Sequence, residues 1–351
     1  MASTKVAILG TGVLARQLIR KIFDDYSAEI VLIADISGQY VTDSDLADDI
    51  SYHLQYDTLY KRWKGHSVSS SNGNLVIEGK NILCKVDESI DNLPLGSLDV
   101  DVLIDCSGKS DDGSVINGVW NAGGKCCIAT TRPSTNAHTN YYNNNTIVTP
   151  LNDIQHGQSA YLCDGNVVAR SIISYIIDYN QVIDIAHYIV HKPNTNYMYV
   201  QDYPNGSANR NSRACDNTIY EGTPSSGDLV GRIMPQINGK CYTSTYRIVN
   251  KTMHSTLCDF TVLHSDTIEH VIGNIKGYSG DGYKYLLYDN DDTVSSDYEN
   301  QDCIGLNDNC ISMQQNGERV QVNMYYDAIL LQVRNIVEYI YSHSGDWGYN
   351  S

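Results

Sequence analysis

Lys5-Val6-Ala7-Ile8-Leu9-Gly10-Thr11-Gly12-Val13-Leu14-Ala15 decides the fold, together with Glu29-Ile30-Val31-Leu32-Ile33-Ala34-Asp35 further on. Residues 5–9 are an apolar run of strand length. Residues 16–23 carry apolar side chains at helical spacing, and residues 29–34 form a second apolar run. Strand, glycine turn, helix and strand in that order make a βαβ unit with a GxGxxA fingerprint. Gly10 and Gly12 allow a tight turn and close approach of backbone to a pyrophosphate, and Ala15 completes the spacing. The helix start supplies amide donors and a positive dipole end. Asp35 stands at the end of the second strand, where a carboxylate accepts hydrogen bonds from a ribose diol. A strand-to-helix turn without a cofactor is the competing reading.

Outward from this unit, residues 74–77, 82–86, 100–106 and 126–129 read as further strands, the third ending in Ser107-Gly108. Residues 167–179, after Cys163, read as a buried helix. Beyond them, residues 183–190, 241–248, 255–263 and 319–325 alternate apolar and polar, which predicts an antiparallel sheet. Residues 328–341 have helical periodicity and are expected to return to the first domain. The fold class expected is α/β: a Rossmann dinucleotide-binding domain over 1–162, an α+β domain over 163–327, and a C-terminal helix over 328–351.

Composition narrows the function. A chain of 351 residues, 42% hydrophobic and 19% charged, supports two globular domains. A net charge of -17 repels polyphosphate, so nucleic-acid binding is set aside, and an anionic substrate needs a local cluster of Arg and Lys. No apolar run reaches the roughly 18 residues of a membrane span, and residues 6–9 are too short for a signal-peptide core. A cytoplasmic or nuclear location without membrane attachment is expected. The ten cysteines contain no CxxC pair and no zinc spacing, so no metal site is expected. They are either buried small apolar groups or the makings of inter-chain disulfides. Tyrosine outnumbers phenylalanine 27 to 2. Base bias explains this poorly, because Phe codons are also A/T-rich; the alternative is that many hydroxyls serve contacts between molecules.

Several segments, taken together, resemble the glyceraldehyde-3-phosphate dehydrogenase family. Tyr52-His53-Leu54-Gln55-Tyr56-Asp57-Thr58 with Lys64-Gly65 is similar to that family's YLLKYDS…FKG. Leu98-Asp99-Val100-Asp101-Val102 with Ser107-Gly108 resembles its GVDVVIEST-G strand. Gly231-Arg232-Ile233-Met234-Pro235-Gln236-Ile237-Asn238-Gly239-Lys240 resembles GKVIPELNGK, and Val294-Ser295-Ser296-Asp297-Tyr298 resembles VSSDF. Residues 322–327 resemble the strand leading into WYDNE. The match runs in order along nearly the whole chain. It implies NAD as cofactor, held by Gly10, Gly12, Ala15, Asp35, Ser107 and Gly108, and a homotetramer built on the second domain's sheet.

In the family a thiolate attacks an aldehyde, an imidazole takes the thiol proton, hydride passes to the nicotinamide, and phosphate resolves the thioester. By resemblance the nucleophile is Cys163, in Leu162-Cys163-Asp164-Gly165-Asn166 where the family reads SCTTN. The base is His191, in Val190-His191-Lys192-Pro193 where it reads VHAYT. Arg213 and Arg247 match the family's anion-binding arginines. Thr223 lies in Gly222-Thr223-Pro224-Ser225, which replaces an Ser-Ser-Thr-Gly anion loop and whose proline removes an amide donor.

Other departures cluster on the same centre. Leu162 and Asp164 replace flanking hydroxyl residues, and Asp164 opposes both thiolate formation and phosphate binding. Asn194 and Asn196 stand for threonines, Ala328 replaces the asparagine that fixes the nicotinamide carboxamide, and Val13-Leu14 replace the Arg-Ile of GFGRIGR. Two readings follow. One is a pseudoenzyme, with Cys163 and His191 vestigial, repurposed for self-assembly as a structural protein such as a storage particle or viral occlusion body. The other is a divergent NAD-dependent aldehyde dehydrogenase using Cys163 and His191 on a substrate without the standard phosphate.

Overall fold

A computed structural model describes residues 3–25, 28–108, 114–131, 146–149, 151–152, 159–179, 182–195, 198–203, 212–222, 227–280, 285–344 and 347. The chain divides into two units, residues 1–164 with 332–351, and residues 165–331.

In the first unit β1 (Lys5–Leu9) leads through the glycine turn into α1 (Val13–Asp25) and β2 (Glu29–Asp35). The next helix, α2 (Asp43–Gln55), is started by a capping box. Thr42 accepts from the Asp45 amide, and the Asp45 carboxylate accepts from the Thr42 amide. Its buried face is Leu46, Ala47, Ile50 and Leu54. A meander follows: β3 (Val68–Ser71), β4 (Asn74–Ile77) and β5 (Lys80–Val86). Then come β6 (Val102–Asp105), α3 (Ser114–Asn121), β7 (Cys126–Ala129), β8 (Thr146–Ile147) and β9 (Ala160–Leu162).

These nine strands form one sheet in the order β3-β4-β5-β2-β1-β6-β7-β9-β8. Pairing is parallel from β5 to β8, and antiparallel between β3, β4 and β5. β6 and β7 are buried at every position, as strands covered on both faces must be. The chain winds outward in opposite directions from β1, so the switch point lies between β1 and β6. The crevice beyond their carboxyl ends is where such sheets bind ligands.

The second unit opens with α4 (Gly165–Ile177), buried at every position except Tyr175. Its strands are β10 (Ile183–Lys192), β11 (Tyr220–Glu221), β12 (Cys241–Arg247), β13 (Met253–Val262), β14 (Leu286–Asp289), β15 (Ile304–Asn307), β16 (Ile311–Met313) and β17 (Arg319–Asp327). Helices α5 (Gly227–Ile233) and α6 (Ile268–Gly280) lie between them in the chain. The sheet order is β11-β12-β10-β13-β17-β15-β14, with β16 beside β17. Its centre is antiparallel, as the alternation predicts. Two pairs depart from that: β10 runs parallel to β12, and β14 to β15. In each case the strands are joined by a long crossover and not a hairpin. Tyr188, Val190, Cys258, Phe260, Val322 and Met324 fill the covered face with no exposure.

The last helix, α7 (Ala328–Ser342), passes from the second unit into the first. In the first unit Val333, Ile336, Val337, Tyr339 and Ile340 join the core formed by β1, β2, β6 and β7. Among the described residues, no helix is long and apolar enough to cross a membrane.

No disulfide links any of the ten cysteines, and none is exposed: eight are buried, and Cys106 and Cys241 are partly covered. The inter-chain disulfide reading would have only the partly covered Cys106 and Cys241 to draw on. Many tyrosine hydroxyls expected to serve other molecules find partners inside the chain. Tyr188 pairs with Ser174 at 2.7 Å, Tyr326 with Thr256 at 2.7 Å, and Tyr298 with Thr293 at 2.6 Å. Burying a phenol requires such a partner, and here Ser and Thr supply it.

Candidate functional site

Gly10 ends β1 with φ +97°, a conformation that residues with a Cβ rarely adopt. A Cβ there would stand 3.0 Å from the Cys106 carbonyl and the Ser107 Cα, so the residue permits both the turn and the approach of the β6 loop. The Gly10 amide donates to Ala34 O at 2.8 Å, and the Cys106 amide to Leu9 O at 2.8 Å. Gly12 is different. Nothing lies within 4 Å of where its Cβ would be, so the space above the turn is open. Arg16 N bonds to Gly12 O at 3.1 Å and closes the first turn of α1, which has no acidic residue in that turn to compete for an anion. This cradle fits a pyrophosphate. Ala15 is fully buried.

Asp35 ends β2 and is 5% exposed. Its Oδ1 accepts from the Ser37 amide at 2.8 Å and from Ser37 Oγ at 2.5 Å, which fixes the carboxylate's orientation. The β2–α2 loop is tied to the glycine turn by Tyr40, a residue that sequence reasoning missed. Its hydroxyl donates to Asp49 Oδ2 at 2.7 Å and lies 3.2 Å from Thr11 Oγ1. Burial foremost, with the Asp49 and Asp35 carboxylates, pushes this phenol up to about 12, so it stays protonated. Arg16 also holds the turn, donating to Thr11 O at 3.0 Å while pairing with Asp57 at 3.3 Å.

Ser107 and Gly108 follow β6, Gly108 with φ +71°, and the Ser107 amide donates to Asp105 Oδ1 at 2.9 Å. Asp105 is fully buried and its Oδ2 has no hydrogen-bond partner. The sequence gives no warning of this, because Asp105 sits within a strand's apolar pattern. Burial, and then Asp105, push the neighbouring Cys106 thiol far above its ordinary value.

Cys163 lies just past β9 in the first unit and is fully buried. Its amide donates to Ile147 O at 3.2 Å, and Gln332 of α7 reaches Leu162 O at 3.4 Å. Asn335 of the same helix accepts from the Thr149 amide at 2.7 Å, so α7 fixes the strand ends that carry the thiol. His191 belongs to the second unit, near the end of β10. It faces Tyr246 across one strand pair and Ser255 across the other. Burial lowers its pKa, so it is neutral at pH 7, the form a base requires.

Gly165, which the sequence reading left without a role, has a steric reason. A side chain there would run into the Ala328 backbone at the start of α7. Asp327 caps that helix, accepting from the amides of Ile329 at 2.9 Å and Leu330 at 3.1 Å. Asn166 carries structure as well: its Oδ1 accepts from Tyr326 at 3.0 Å, and its carbonyl from the buried Arg170 at 2.9 Å.

The anion candidates are less assembled. Arg213 Nε pairs with Asp202 at 3.1 Å, with both side chains largely exposed, and Arg247 Nη1 donates to Pro193 O at 2.8 Å. Thr223 and Asn196 lie outside the described residues. Among the described residues, no group of three or more His, Cys, Asp or Glu is placed to hold a metal ion. A cavity of about 120 Å³ opens in the second unit beside Ile177, Tyr179, Asp266 and Asn274, and no predicted site residue lines it.

Comparison with known proteins identifies the family. Residues 4–113 match the family model described as glyceraldehyde 3-phosphate dehydrogenase, NAD binding domain, and residues 162–328 match that of the C-terminal domain. Glyceraldehyde-3-phosphate dehydrogenase 1 of Kluyveromyces lactis is 26% identical over 334 residues, covering 92% of this chain and 94% of that protein. Glyceraldehyde-3-phosphate dehydrogenase 1 of Saccharomyces cerevisiae is 26% identical over 345 residues, covering 96% and 98%. Glyceraldehyde-3-phosphate dehydrogenase A of Escherichia coli K12 is 26% identical over 326 residues, covering 92% and 94%. With residues 4–113 and 162–328 matched in order by the family's two models, the chain belongs to the glyceraldehyde-3-phosphate dehydrogenase family.

Proposed function

We propose that this chain is an NAD-binding, self-associating member of the family in which phosphorylating dehydrogenase turnover is strongly attenuated. The observation that carries the cofactor half is the cradle: Gly10 shaped by a close backbone approach, Gly12 open above the turn, and Asp35 held in orientation by Ser37. Gly10, Gly12, the start of α1 and Asp35 would hold the pyrophosphate and a ribose, and Ser107-Gly108 would border the far side. When bound, NAD supplies the hydride acceptor. Attenuation is supported by the burial of the Cys163 thiol with Asp164 next to it in the chain, and, from the sequence, by Ala328 in place of the asparagine that anchors the family's carboxamide.

Self-association draws on the open face of the second sheet. There Ile185 and Tyr242 are exposed at 43% and 53%, and His187 stacks on Tyr242 at 4.1 Å. A homotetramer or a larger assembly, such as a storage particle or occlusion crystal, would use this surface without disulfides.

The test is a turnover assay with glyceraldehyde 3-phosphate, phosphate and NAD on the purified protein. Slow or absent NADH formation is expected. A rate near the ordinary enzyme value of about 10 per second would overturn the proposal. The second reading, an aldehyde dehydrogenase using Cys163 and His191 on a substrate lacking the standard phosphate, is favoured by the neutral His191. It requires iodoacetamide at neutral pH to label Cys163 ahead of the other nine cysteines, and labelling that fails to single it out removes it.

A further inference from the structure

We propose that Tyr40 is a positioning residue that couples the two halves of the dinucleotide cradle, latching the ribose-binding loop onto the glycine turn. The inference rests on the cofactor reading above. The loop over residues 36–42, between β2 and α2, is held by local hydrogen bonds at both ends. Ser37 turns on Asp35 Oδ1, Gly38 takes φ +74°, the Gln39 amide donates to Ser37 Oγ at 3.1 Å, and Thr42 with Asp45 caps α2. Tyr40 stands in the middle of it, 9% exposed.

A phenol has one proton to give and two acceptor positions. Tyr40 gives its proton to Asp49 Oδ2 at 2.7 Å. Its oxygen then accepts from Thr11 Oγ1 at 3.2 Å and from Gln39 Nε2 at 3.3 Å. Thr11 is the residue between the two cradle glycines, and Arg16 already holds its carbonyl at 3.0 Å. The hydroxyl and the carbonyl of Thr11 are thus both held, which ties the Gly10-Thr11-Gly12 backbone to the loop that follows Asp35. Pre-organising both contact points lowers the ordering cost of binding a ligand that must touch both. A phenylalanine would pack equally well at Tyr40 but could not make the link.

The test compares wild type, Tyr40→Phe, Thr11→Val and the double variant by NAD calorimetry, thermal unfolding and amide hydrogen exchange of the cofactor-free protein. The expected result is a loss of NAD affinity of about fivefold in each single variant, the size of one net hydrogen bond. The double variant should be no worse than either single, because both remove the same link. Exchange at Thr11, Gly12 and Val13 should quicken in all three. Additive losses, or unchanged affinity with only a lowered melting temperature, would overturn the latch and leave Tyr40 a packing residue. If wild type binds no NAD, the cofactor reading fails by itself and hydrogen exchange still decides the latch. Faster exchange at the turn in both single variants sustains it, and unchanged exchange refutes it.

Discussion

The two glycines of the turn should respond to the same substitution in opposite ways. Gly10→Ala forces a Cβ onto a residue at φ +97°, with backbone atoms of Cys106 and Ser107 at 3.0 Å. A side chain at positive φ costs about 1–2 kcal/mol. The contact is about half an ångström inside the ordinary carbon–carbon separation and involves two strand ends that cannot move independently, adding strain of about 1–2 kcal/mol. The sum, about 2–4 kcal/mol, is a large share of a domain's stability and corresponds to a melting temperature lower by roughly 5–15 °C. Gly12→Ala meets nothing within 4 Å, so its stability cost is under about 1 kcal/mol, the scale of a helix N-cap change. Its methyl occupies the space reserved for pyrophosphate, and NAD affinity should fall by at least about tenfold. Urea unfolding and NAD calorimetry on both variants separate the two effects. The reasoning is refuted if Gly10→Ala is as stable as wild type, or if Gly12→Ala binds NAD unchanged while wild type binds it.

Gly165→Ala drives a methyl into the Ala328 backbone; a loss of at least about 3 kcal/mol in urea unfolding is expected. Arg170 is fully buried, donating to Asn166 O and to Thr243 Oγ1 at 2.8 Å, with its guanidinium over Tyr188. Arg170→Ala leaves both acceptors and a cavity behind, and should cost about 3 kcal/mol or more by the same measurement. The Asp57 carboxyl is penalised by burial, but the Tyr60 and Leu59 amides and Arg16 overcome that and hold its pKa below the ordinary value. Because the folded value is the lower one, this stabilisation is complete above the unfolded value of about 3.9 and is lost as pH falls through the folded value. The stability gap between wild type and Asp57→Asn should therefore be constant from about pH 5 to 8 and close below about pH 4. A gap that persists at lower pH would contradict the assignment.

The βαβ unit was legible because every part of its signature is local: an apolar run, two glycines at fixed spacing, a helical stretch and an acid after the next run. Helix α2 was harder to read, since its start is marked by Thr42 and Asp45 where the familiar capping box has Glu or Gln. Helix α6 carries Gly273 and Gly277, which weaken any local helix signal. The parallel pairing of β10 with β12 was not legible, because residues 183–190 and 241–248 carry the alternation expected of antiparallel strands. At the site, Asp35 and the glycines follow from sequence spacing, whereas Tyr40, Asp105 and Gly165 depend on contacts between segments far apart in the chain. Gly165 shows the difference well. In the sequence it carries no signal of its own, and in the fold a side chain there would run into the Ala328 backbone.

The central claim is that the dinucleotide cradle binds NAD while phosphorylating turnover is strongly attenuated, and the most direct test of its cofactor half is calorimetric titration of NAD into the wild-type protein. Saturable binding at one site per chain, weakened at least about tenfold in Gly12→Ala, is the predicted result. An absence of binding in a fully folded sample would contradict the account.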